Sequence, residues 1–117
     1  MTLNLTLRRT YNDHPRPEDD DKFWSVDCEG VGVGSIVLHQ GRADSLPDWH
    51  WVVHIHAGRF GNGLPLQQGS EETRELAMAA FRKAFERCRE HIGAEGWQRH
   101  LEHMAMVRAR AEGGRKY

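Results

Sequence analysis

Eight histidines occur in 117 residues, and three of them fall in the stretch Trp49-His50-Trp51-Val52-Val53-His54-Ile55-His56-Ala57. Along an extended strand, side chains alternate faces with a period of two. His50, His54 and His56 therefore share one side with Val52, and Trp49, Trp51, Val53 and Ile55 share the other. A His-x-His pair offers two neutral nitrogens to zinc or another divalent metal. Such a site needs a third ligand, a carboxylate or cysteine from a neighbouring strand, and the sequence names none. The same face also reads as a plain solvent-facing surface. A further reading is a pH-responsive one, because several imidazoles charging together between about pH 5 and 7 repel one another. His100 and His103, three apart in a helical pattern, could likewise share a ligand.

Other reactive residue types are less convergent. Cys28 and Cys88 each fall on an apolar face, where a free cysteine behaves as a small hydrophobe. A thiolate nucleophile would need a base held beside it in a cleft, and nothing local supplies one. The run Glu18-Asp19-Asp20-Asp21 lacks the spaced oxygens and turn glycine of a calcium loop. Gly30-Val31-Gly32-Val33-Gly34 is followed by a strand pattern, whereas a phosphate-cradling loop must open a helix. No Gly-x-Ser-x-Gly, His-Glu-x-x-His or zinc-finger spacing is present. The residues thus assign no catalytic or cofactor-binding group. The one candidate ligand set is His50, His54 and His56, for a divalent metal.

Charge is nearly balanced, at −1, but unevenly spread. Residues 1–81 carry 7 Lys/Arg against 12 Asp/Glu, and residues 82–117 carry 9 against 5. Arg82, Lys83, Arg87, Arg89, Arg108, Arg110, Arg115 and Lys116 could meet a phosphate backbone. Glu86, Glu90, Glu102 and Glu112 interrupt that field. The division also suits contact between halves or between copies, but surface charge is the default covering of helices and solvated helix faces are the first reading.

The elements that must hold these residues follow from periodicity. Leu3 to Arg8 alternates and reads as a half-buried strand. Tyr11 to Lys22, with two prolines and the acidic run, reads as a loop. Phe23 to Glu29 is a second strand, Gly30 to Gly34 a hairpin turn, and Ser35 to His39 a third strand. Gln40 to Asp48 is a polar turn before the tryptophan-rich strand. Asn62-Gly63 marks another turn, and Leu64 to Gln68 is a short edge strand or plain extended chain. Thr73 caps a helix over residues 74–91 whose apolar stripe is Ala77, Ala80, Phe81, Ala84, Phe85, Cys88 and Ile92. Gly93 ends it. Gly96 to Glu112 is a second, more narrowly amphipathic helix.

These elements predict a single α+β domain over residues 1–112 with a flexible tail at 113–117. The architecture is two-layered: an antiparallel sheet of three to four strands packed on the first helix, with a second helix at the C-terminus. A composition of 38% hydrophobic and 28% charged residues suits a packed core and argues against disorder. No apolar run approaches the roughly 20 residues of a membrane span. The alternating Met1–Leu5 lacks the apolar stretch of a secretory signal, which predicts a cytoplasmic location with both thiols reduced.

The chain resembles a family of small uncharacterised bacterial proteins over about residues 7–88. The resemblance is carried by Leu7-Arg8-Arg9-Thr10 and by a strand ending in Cys28 followed by Val33-Gly34-Ser35-Ile36. Trp49-His50-Trp51 continues it, as does Thr73 opening a helix with Ala77, Phe81 and Phe85. That family lends no catalytic residue, and its pattern stops soon after the first helix. The extension beyond therefore suggests a role of its own in pairing subunits. The expected function is a non-catalytic protein-interaction module or homodimer, bound to itself or to another protein. The alternatives are a nucleic-acid-binding or antitoxin-like regulator and a metal-binding protein or metal-dependent enzyme.

Overall fold

The computed structural model describes residues 4–10, 22–39 and 48–114. The proline-containing acidic loop and most of the turn after His39 lie outside the described residues. Five strands form one antiparallel sheet in chain order: β1 (Leu5–Arg9), β2 (Phe23–Cys28), β3 (Val31–His39), β4 (Asp48–Val53) and β5 (Gln68–Glu71). A helical run, α1 (Arg74–Gly114), follows.

The sheet has one strand more than the three to four expected. β5 reads Gln-Gly-Ser-Glu and shows no alternation of apolar residues. Its place is fixed by its neighbour: Trp51 pairs opposite Gly69, and the indole lies where a side chain at 69 would be. A Cβ there would stand 2.8 Å from the ring. The indole Nε1 is buried without a hydrogen-bond partner, at a cost of about 1–3 kcal/mol.

The glycine-rich turn is shorter than expected. Only Glu29 and Gly30 form it, both at positive φ (52° and 84°), and Cys28 pairs with Val31 across them. That is the twist-matched two-residue hairpin. Val31 onward is strand. A bulge between Val26 and Asp27 leaves Val33 as the extra residue on β3. Val33 is nonetheless fully buried, because a bulge re-aims one side chain.

The tryptophan-rich strand alternates as predicted but ends early, at Val53. Trp51, Val53 and Ala57 are buried, and His54 and His56 are exposed. Residues 54–57 do not pair as a strand, and the chain leaves the extended form by Ala57 (φ −104°, ψ 12°). The His54 amide still donates to the Val33 carbonyl, at 2.8 Å. The His56 amide finds no carbonyl and takes a side chain instead, described below.

Thr73 caps α1 as its sequence suggests, its Oγ1 accepting the Leu76 amide at 3.1 Å. The expected pair of separate helices is one run bent at a single residue. Gly93 (φ 67°, ψ −173°) is the one interior position that is not helical. Its backbone region is open essentially to glycine alone, and the Arg89 guanidinium binds its carbonyl at 3.2 Å. Helical backbone continues through Gly114, two residues into the predicted tail. Before the bend, Ala77, Phe81, Ala84, Phe85, Cys88 and Ile92 are all buried. All but Ile92 pack with Val26, Cys28, Val33, Ile36, Trp51 and Val53 in one core. Trp51 meets Phe81 edge-on at 6.5 Å, and Phe85 meets Trp97 edge-on at 6.0 Å, favoured arrangements for aromatic rings. Among the described residues, no helix is long and apolar enough to cross a membrane.

Candidate functional site

Beyond Gly93 the helix, hereafter the arm, reaches the end of the sheet, and one side chain ties it there. His100 is the buried polar side chain of the described core. Its Nδ1 accepts the backbone N–H of His56 at 3.0 Å, and its Nε2 lies 2.9 Å from the Gly32 carbonyl. A carbonyl only accepts, so Nε2 carries the proton and Nδ1 is bare. The geometry therefore selects the neutral imidazole in one tautomer. Both ring nitrogens are used, and two backbone groups from different segments are satisfied.

Rings stack outward from this point. Trp97 lies 5.3 Å from His100 on one side, with Arg89 over its far ring at 4.7 Å. His56 lies parallel to His100 at 5.9 Å, and His103 stacks on His56 at 4.1 Å. Burial, with His103 and His54 adding like charge, holds His56 below the ordinary imidazole value. Burial also lowers His100. The bond to Gly32 opposes this, and His56 and His103 reinforce it.

The three histidines expected to share a metal are dispersed. His50 is on β4, its Nδ1 3.1 Å from the Ser70 hydroxyl of β5. His54 lies exposed just beyond the strand, and His56 turns to the arm. Among the described residues, no three His, Cys, Asp or Glu side chains are grouped to hold a metal. His100 and His103 are not two ligands of one site either: each meets His56 instead. The cysteines are free and buried. Burial pushes both thiols up, and Glu29 adds to this at Cys28, which disfavours the nucleophilic thiolate.

A cleft of about 790 Å³ opens between the arm and the β2–β3 hairpin. Gly32 and Asp27 lie on its sheet side, Leu101, Met104 and Arg108 on its arm side, and Arg8 at its edge. Arg8 grips Asp27 with two nitrogens, at 3.0 and 3.5 Å. That bond holds the guanidinium above its usual value. Further along the arm, Met106 and Val107 are 48% and 44% exposed. A smaller cavity of about 240 Å³ lies between β1 and the first part of α1, against Leu5, Leu7, Met78 and Arg82.

Sequence reasoning missed the tie at His100 and the Arg8–Asp27 pair. A signal for the first was present. His100 is three residues after Trp97 and four before Met104, so it interrupts an apolar stripe from within. The second pairs residues 19 apart on neighbouring strands and shows only once the β1–β2 register is known.

Compared with known families, with curated proteins and with solved structures, the chain matches none.

Proposed function

We propose that this chain is a non-catalytic interaction module that pairs with a second copy of itself through the arm. The observation that carries the reading is the arm's apolar side. Leu101, Met104 and Val107 line an open cleft, and Val107 stands exposed there. Adjacent apolar residues along a concavity mark contact surfaces more often than isolated ones do. A second copy meets no net repulsion at this surface: Arg99, Arg108 and Arg110 of the arm are balanced by Glu95, Glu102 and Glu112. Two copies related by a two-fold axis would lay each arm against the other's sheet.

Sedimentation equilibrium up to about 1 mM protein tests this. A reversible dimer is expected. Val107→Glu should weaken it at least tenfold while leaving the thermal melt within about 0.5 kcal/mol of the parent, as surface changes generally do. A chain that stays monomeric across the whole range refutes the reading. The cations Arg108 and Arg110 on the same arm support nucleic acid as a second reading. Its mark would be retention on a labelled duplex that falls steeply with salt.

A further inference from the structure

We infer that His56, His100 and His103 form an acid-released clasp, which holds the arm against the sheet end at neutral pH and frees it when His56 and His100 take up protons. The regulatory consequence for pairing rests on the dimer reading above; the clasp itself does not.

Three geometric facts carry it. First, His100 cannot be protonated in place. Nδ1 already receives the His56 amide proton at 3.0 Å, and a second hydrogen there would set donor against donor. The acid form must give up the bond between the arm and residues 54–57. Second, the ring meeting His100 on that side is itself an imidazole, and a third imidazole stacks on it at 4.1 Å. Charging any one of the three raises the cost of charging the next. Third, the described surroundings offer an imidazolium little relief. Residues 54–57 present His54 and His56. The arm presents His103, and Arg89 lies over Trp97. Near the 3-10 turn (Gly58–Gly61), Arg59 and Arg99 both lie over Phe60. From β3 comes the Gly32 carbonyl. The carboxylate beside Gly32 is Asp27, already held by Arg8.

The direction follows from proton linkage. Released histidines bind protons below about pH 6.5, their ordinary value, whereas docked His56 and His100 resist them. The docked state is therefore fully favoured above about pH 6.5 and loses ground as pH falls. The balance shifts by up to tenfold per pH unit for each proton taken up on release. Residues 74–92 are held by apolar packing, and the His91 Nε2 donates to the Asn62 carbonyl at 2.7 Å, a bond that an added proton does not break, so they stay in place.

Hydrogen exchange of the full chain at pH 7.5 and pH 5, corrected for intrinsic rates, provides the test. Val107→Glu is run alongside, so that the measurement does not depend on pairing. Amides of residues 96–111 should lose at least tenfold protection at pH 5 while those of residues 77–92 keep theirs, in both proteins. The triple variant His56→Gln, His100→Gln, His103→Gln removes every titrating ring of the clasp while Gln at 100 still offers one acceptor and one donor, and it should reduce the loss to threefold or less. Unchanged protection of the arm at pH 5 in the parent, or the same loss in the triple variant, overturns the clasp. Loss of protection in a chain that never dimerises leaves the clasp standing and removes only its link to pairing.

Discussion

The two parts of α1, on either side of Gly93, are attached to the same sheet by different means. Residues 74–92 present a continuous apolar stripe, with Phe81, Phe85 and Cys88 fully buried. That attachment is broad, non-directional and roughly proportional to area. The arm buries Gly96 and His100 and packs Trp97 against the core; Leu101 and Met104 are half-buried, and most residues beyond are exposed. Past Trp97 its attachment is narrow and directional, because it rests on two hydrogen bonds with a defined tautomer. The comparison shows how one helical run can join a stable core to a segment whose hold depends on protonation. Area cannot be switched by a proton, but a bare nitrogen can.

The largest expected effect lies in the first part. Phe85→Ala should cost about 3–5 kcal/mol by removing a buried ring, read as a lower urea midpoint for the whole chain. A cost below about 1 kcal/mol would break the comparison at its apolar end. Next comes His100→Phe, which keeps the volume and removes both bonds. It strands the His56 amide and the Gly32 carbonyl, and should cost about 2–4 kcal/mol at pH 7.5. The variant should also lose less stability than the parent between pH 7.5 and pH 5. In the parent, the unfolded chain gains protons below about pH 6.5 and the folded one resists them, so acid destabilises it. An equally steep acid dependence in the variant would remove His100 from the account.

The joint itself is the third point of attack. Gly93→Ala should cost about 1–3 kcal/mol, since a Cβ is poorly tolerated at that φ and ψ. Amides of the arm should lose more protection than those before the bend. The smallest effect belongs to the cap. Thr73→Ala should cost about 1 kcal/mol, and it should appear in the global melt with no extra loss of protection in the arm. If it loosened the arm preferentially, the two parts of α1 would not be separable as described.

Much of the apolar architecture was legible beforehand, because burial in strands and helices leaves a period. Trp51 and Val53 face inward and His54 outward, as alternation requires. The stripe from Ala77 to Ile92 is where spacings of three and four put it. What was not legible depends on distant partners. β5 carries no alternation and exists because β4 offers it an indole to lie on. The extra residue Val33 is an accident of register between β2 and β3. His100 reaches a backbone amide 44 positions away and a carbonyl 68 positions away, separations that no local pattern encodes. The metal hypothesis at His50, His54 and His56 assumed a strand running to Ala57. The strand stops at Val53, and beyond it the chain turns His56 toward the arm.

Gly69 has a consequence of its own. Because the Trp51 ring fills the place of its missing side chain, β5 can pair with β4 along its whole length only while position 69 stays empty. Any larger residue at 69 would prise the outermost strand away and lay bare the backbone donors and acceptors of β4. Such an edge recruits strands from other molecules, so this smallest of residues guards the protein against uncontrolled self-association.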